Sequence, residues 1–136
     1  MTLWQPGMII TADRLNDYTP IPLTVMPTTA PNFDVAAFSA RKSGGSTEWS
    51  VSLQYTSATA LTANSTGNIT PDVLCMTLPP ECRPFSETYA ICEVSGSRAG
   101  SVRIGTDGQC LITTLYPTAA ITQSQFVKFS ASFAAG

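Results

Sequence analysis

Residues 49–55 read Trp-Ser-Val-Ser-Leu-Gln-Tyr, apolar at every odd position and polar at every even one. That period of two fits an extended chain with one face buried, because successive side chains of a strand point to opposite sides. The pattern recurs near the C-terminus. There, residues 125–133 put Val127, Phe129, Ala131 and Phe133 on one face and Lys128, Ser130 and Ser132 on the other. A helix over either stretch would scatter its apolar residues around the whole cylinder.

Other segments extend the same reading. Residues 33–41 are a first strand, ended by Ser43-Gly44-Gly45-Ser46. Residues 73–78 form a short apolar run that fits a strand covered on both faces, with Pro79-Pro80 as its stop. Residues 88–94 and 101–104 are rich in strand formers. Asp107-Gly108 lies between Val102-Arg-Ile104 and residues 110–116, a short-range signal for a hairpin. Residues 64–68, Asn-Ser-Thr-Gly-Asn, are turn material. Six to eight strands at about ten-residue spacing, with no long helix, predict an all-β antiparallel sandwich or jelly-roll head over residues 32–136.

Composition narrows the partners. The chain has 136 residues, one domain's worth, of which 12% are charged, against roughly 25% in ordinary domains. Its 14 serines and 19 threonines imply a hydroxyl-rich surface, or one partly covered by neighbouring copies. A net charge of -2 and seven scattered Lys and Arg leave no basic stripe, so nucleic acid is not an expected partner. No stretch approaches the ~20 apolar residues of a membrane span. No Lys or Arg precedes Trp4 and the early apolar run is only Met8 to Ile10, so no secretory signal is expected.

The chain has no histidine, which removes Ser-His-Asp and Cys-His catalysis and most zinc chemistry. The carboxylates Asp72, Glu81, Glu87, Glu93 and Asp107 are dispersed and read as loop and strand-edge charges rather than as a glycosidase pair. Ser43 to Ser46 and Ser95 to Gly100 lack the Lys of a phosphate loop. No enzyme activity, cofactor or metal is expected. Asn64-Ser-Thr66 and Asn68-Ile-Thr70 match the glycosylation acceptor pattern but are read as turn residues. Cys75, Cys82, Cys92 and Cys110 have no C-x2-C spacing and are read as buried free thiols. One bridge, Cys75 to Cys82 or Cys92 to Cys110, is the alternative. Trp49, Tyr55, Tyr89 and Tyr116 are aromatics able to stack on sugar rings, with Trp49 and Tyr55 named as the saccharide-stacking pair. At strand positions the core is the competing place for them.

The N-terminus obeys different rules. Residues 1–17 hold an apolar set, Trp4, Met8, Ile9 and Leu15, broken by Pro6-Gly7 and too short to fold alone. Thr11 reads as the N-cap of a one- or two-turn helix ending near Asn16. Residues 18–31, with prolines at 20, 22, 27 and 31, are expected to be a semi-rigid extended arm lying along a surface.

Trp4-x-x-Gly7-x-x-Ile10-Thr11-Ala12-x-x-Leu15-Asn16 resembles the N-terminal segment of tailed-phage virion proteins, particularly small tail-fibre and minor tail proteins. Leu78-Pro79, Arg83-Pro84 and residues 102–108 resemble the Leu-Pro, aromatic-Arg-Pro, strand, Asp-Gly pattern of trimeric receptor-binding head domains, with Cys82 where an aromatic is usual. The resemblance implies a homotrimer on the virion surface, assembled in the host bacterial cytoplasm. Its N-terminal segment would dock on other virion proteins, through Trp4, Met8, Ile9 and Leu15. Its β head would meet the host, with cell-wall saccharide as one receptor class. With no heptad or collagen-like shaft, the head would be a short knob held close to the particle. The alternatives are a capsid decoration or head-fibre protein, and a free carbohydrate-binding module.

Overall fold

The computed structural model describes residues 20–95 and 98–134. The docking residues Trp4, Met8, Ile9 and Leu15, and the helix expected over 11–16, lie outside the described residues. The fold is all-β. Its strands are β1 (Ile21–Leu23), β2 (Thr28–Thr29), β3 (Phe33–Ser43), β4 (Ser46–Tyr55), β5 (Leu61–Thr62), β6 (Asn68–Thr77), β7 (Thr88–Val94), β8 (Arg98–Ile104), β9 (Gln109–Leu115), β10 (Ala120–Ile121) and β11 (Phe126–Ala134). A single turn of 3-10 helix, Pro80–Cys82, is the one helical piece among the described residues.

Nine strands form one antiparallel sheet in the order β1-β3-β4-β11-β7-β8-β9-β6-β2, and β5 pairs with β10 beside it. The outermost strands β1 and β2 are adjacent in the chain, with only four residues between Leu23 and Thr28. Five Cα steps reach at most about 18 Å, so the two edges of the sheet must come near each other. The sheet therefore curls into a sandwich-like shell with its inner face as the core. The halves β1-β3-β4-β11 and β7-β8-β9-β6-β2 join at a short ladder, where Val127 pairs with Val94 and Lys128 with Glu93.

Two pieces of the arm expected over 18–31, Ile21–Leu23 and Thr28–Thr29, are strands of this sheet. Ile21, Pro22 and Leu23 pair with Lys42, Arg41 and Ala40, and Thr28 and Thr29 pair with Thr77 and Met76. Pro22 stays compatible because β1 is an edge strand, where a missing backbone donor on the open side costs no ladder bond, and Pro20, Pro27 and Pro31 lie outside the strands.

Alternation on β4 holds throughout: Trp49, Val51, Leu53 and Tyr55 are buried. Its partner β3 keeps register through a bulge between Val35 and Ala37. That extra residue resets the parity, so Phe33, Val35, Phe38 and Ala40 all face inward. Leu53, Met76, Ile104, Ile112, Ile121 and Val127 are fully buried, each contributing roughly 1.5–3 kcal/mol of hydrophobic stabilisation. The hairpin expected at Asp107-Gly108 joins β8 and β9. Gly108 N–H donates to Gly105 O at 2.9 Å, and the Asp107 carboxylate accepts from Gln109 N–H at 3.0 Å.

The pattern residues Leu78, Arg83 and Gly108 meet in space. Leu78 N–H donates to Gly108 O at 2.8 Å, and Arg83 Nε–H donates to Leu78 O at 3.1 Å. Gly108 has φ 86, and a Cβ there would lie 2.8 Å from both Leu78 O and Arg83 Nε. The motif is thus a backbone clamp between two loops. Its role is structural.

Candidate functional site

The register fixes a polarity. Ile21 lies beside Lys42 and Ala134 beside Ser46, so the chain enters the head and β11 ends at the Gly44-Gly45 hairpin. At the other end of β4, Tyr55 pairs with Phe33, its N–H donates to Gln125 O at 2.8 Å, and Thr56 N–H donates to Asn32 O at 2.9 Å. Ten residues of β4 separate the two ends, about 30 Å at the usual strand rise.

Beside the β7–β8 turn that leads to Arg98 and the 30–33 turn that leads to Asp34, the end away from β1 holds residues 56–68 and 116–125, and neither of these two stretches contains a charged residue. They are tied together. Ala63 N–H donates to Ala119 O at 2.9 Å, Thr118 N–H to Asn64 O at 3.0 Å, and Leu115 N–H to Gly67 O at 2.9 Å. The Gln123 side-chain amide donates to Thr56 O at 3.2 Å. Asn64 Oδ1 accepts from the N–H of Thr66 and of Asn68, both at 2.9 Å. That side chain is occupied by its own turn, in keeping with the turn reading of the acceptor sequence. Tyr116, 70% exposed, stands among these loops. These two stretches offer hydroxyls, amides and one aromatic ring on a hydrogen-bonded frame.

Trp49 and Tyr55 do not contribute to it, which corrects their expected stacking role. They are 3% and 6% exposed. Trp49 stacks on Phe38 and meets Phe129 edge-on, with ring centroids 6.3 and 5.7 Å away. Tyr55 packs against Phe33 and donates its hydroxyl to Thr59 O at 2.7 Å. Inward alternation on β4 puts both rings in the core, where no sugar face can reach them. Among the described residues the solvent-facing tyrosines are Tyr89 on β7 and Tyr116 after β9. Tyr116 follows Leu115 into an exposed turn, so the end of the strand pattern was the signal that separates it from the buried rings.

A second surface runs along the outer face of β3, β4 and β11. Ser39, Ser50 and Ser130 stand in one cross-strand row, with Ser39 and Ser50 hydroxyls 3.1 Å apart. Two adjoining depressions share these three serines. One reaches Arg41 and Glu48, which form an ion pair; the other reaches Lys128, Glu93 and Ile91. Small side chains make the trough. Beside it, on β7, Ile91 is 83% exposed and Tyr89 60%.

No chemistry gathers elsewhere among the described residues. Asp72 pairs with Arg103 at 3.4 Å, and no cluster of three Cys, Asp or Glu is placed to hold a metal ion. The four cysteines are free and buried, as read from their spacing. Burial pushes the Cys92 thiol up to about 11. Burial, then the charge of Asp107, pushes Cys110 up to about 12. Cys75 is raised well above the usual value by burial and by neighbouring Cys110 and Cys92, and Cys82 is raised by burial and then Glu81. At neutral pH these thiols are protonated and poor nucleophiles. Compared with known proteins, the chain matches no family model and no curated sequence.

Proposed function

We propose that this chain is a non-enzymatic structural protein of a bacteriophage virion, a trimeric tail appendage that docks through residues 1–17 and presents its β head to the host surface. The polarity of the head carries this reading. The chain enters at the Gly44-Gly45 end, and the uncharged loops gather about 30 Å away along β4. A head tethered by its N-terminus would turn those loops outward. The resemblance of Trp4 to Asn16 to virion docking segments supplies the partner at the tethered end.

The loop chemistry favours a neutral saccharide of the cell wall as receptor. Polyhydroxy ligands are held by hydroxyl and amide hydrogen bonds and by stacking on an aromatic face, without a counter-charge. Residues 56–68 and 116–125 supply such groups, with Tyr116 as the ring. Free buried thiols accord with assembly in a reducing bacterial cytoplasm.

Removal of residues 1–17 tests the docking step. The truncated chain is expected to fold and stay soluble while being absent from purified particles. Normal incorporation of the truncated chain would refute docking by this segment. A gene placed among tail genes accords with an appendage of the tail, whereas one beside the capsid gene would favour a capsid decoration protein.

A further inference from the structure

We propose that Cys75 and Cys110 are a disulfide-forming pair, free in reducing surroundings and bridged where a small oxidised disulfide can exchange with them, stapling β6 to β9. Neither residue takes part in the proposed docking or receptor surface. Register brings the two together. β6 and β9 are ladder neighbours, with Leu74 opposite Leu111 and Met76 opposite Cys110, and Cys75 is the extra residue between those pairs. The two residues of such a bulge share one partner across the ladder. Opposed residues of an antiparallel pair have Cα atoms about 4.5–5.5 Å apart, inside the roughly 4.4–6.8 Å that a disulfide spans. The bulge also resets parity, so that Cys75, Met76 and Cys110 are all fully buried in the core. The Cys75 thiol already reaches across the ladder, donating to Cys110 O at 3.2 Å.

The other two cysteines have no such cross-strand partner. Cys92 lies on β7 opposite Gly100, and β8 stands between β7 and β9. Two strand spacings come to about 10 Å, beyond the reach of a bridge from Cys92 to Cys110. Cys82 lies on the turn Pro80–Cys82, outside every ladder. Cys92 is near enough for its charge to act on Cys75, which makes it the competitor to be distinguished.

Access comes from the edge of the sheet. On its far side β6 is paired, among the described residues, by two-residue β2 at Met76 and Thr77, and Ala30 N–H donates to Cys75 O at 3.2 Å. So short a ladder opens more readily than the strands behind it. Burial keeps both thiols protonated in the closed fold, so exchange waits on that opening. One cysteine thiolate then attacks a sulfur of oxidised glutathione, or a like disulfide, and releases one small thiol. The second thiolate attacks the mixed disulfide and releases the other. The two protein thiols give up two protons and two electrons, and the small disulfide becomes two thiols.

The full chain is unfolded in urea and refolded in a buffer of reduced and oxidised glutathione, its free thiols are alkylated, and the product is cleaved after glutamate. Cleavage after Glu81, Glu87 and Glu93 places the four cysteines on four separate peptides. Exchange lets every pairing form and break, so the folded geometry chooses among them. The peptides of Cys75 and Cys110 are expected to be joined, with Cys82 and Cys92 alkylated. Any other pairing, glutathione adducts included, or four alkylated thiols, overturns the assignment. The bridged chain is expected to unfold at a higher urea concentration than the same chain reduced, because the bridge spans 35 positions of sequence. Cys110→Ala is expected to show equal midpoints in both buffers, and Cys75→Ala repeats that control should the first variant fail to fold. An equal or lower midpoint for the bridged chain overturns the staple.

Discussion

Asn32 and Thr118 occupy the same place in two proline turns. In residues 30–33, Phe33 N–H donates to Ala30 O at 3.2 Å, with Pro31 before Asn32 at φ 74. In residues 116–119, Ala119 N–H donates to Tyr116 O at 2.9 Å, with Pro117 before Thr118 at φ 61. Asn tolerates the left-handed region, whereas a β-branched residue is strained there. Thr118→Asn is therefore expected to raise stability by about 1 kcal/mol. Urea unfolding checks it, and an unchanged or lowered midpoint would show that the turn does not store this strain.

Gly108 is constrained twice, by its positive φ and by the carbonyl of Leu78. Gly108→Ala is expected to cost roughly 2 kcal/mol or more, through backbone strain and loss of the Leu78 to Arg83 clamp. Arg83→Met should cost about 1–2 kcal/mol by leaving Leu78 O short of a donor. Thermal or urea denaturation of the two variants measures both. A loss below about 0.5 kcal/mol for Gly108→Ala would show that the loops relax around an added methyl.

The thiols set an alkaline limit. An unfolded thiol ionises near 9, while Cys92 holds its proton to about 11 and Cys110 to about 12. Between those values the unfolded chain has released protons that the folded chain keeps. The stabilisation is thus complete below about pH 9 and is lost as pH rises through the folded values, each thiol contributing up to about 1.4 kcal/mol per pH unit. Urea midpoints at pH 8 and pH 10.5 should differ, and by less in a Cys92→Ala, Cys110→Ala variant compared with its parent. Equal drops in parent and variant would assign the loss to other groups.

Trp49 and Tyr116 separate core from surface. Trp49→Ala is expected to destabilise by about 3–5 kcal/mol, since it removes the ring between Phe38 and Phe129. Tyr116→Ala should change stability by less than about 0.5 kcal/mol and weaken binding to purified host cell wall. Unaltered wall binding by folded Tyr116→Ala protein would remove Tyr116 from the receptor surface.

Strands with one wet face were the legible part of this chain. Trp49 to Tyr55 and the C-terminal strand alternate because one side meets solvent, and the Asp107-Gly108 and Gly44-Gly45 turns carry their own backbone chemistry. The bulge at Val35 and Ala37 was hidden, since alanine there is apolar enough for either face. Pairing of Ile21–Leu23 and Thr28–Thr29 was hidden too, because proline density describes an extended chain without naming the strand it lies beside. For the site, composition could name the aromatics but not their depth. Depth depends on where alternation ends, at Leu115 before Tyr116, and on which strands close the core above Trp49.

Virion docking is the central claim, and imaging tests it most directly. If the proposal holds, the full chain, labelled at its C-terminus, is seen by electron microscopy on purified phage particles assembled in cells that produce it. Label at the tail, lost when residues 1–17 are removed, is the result expected. Particles without label, from cells in which the labelled chain is abundant and folded, would contradict it.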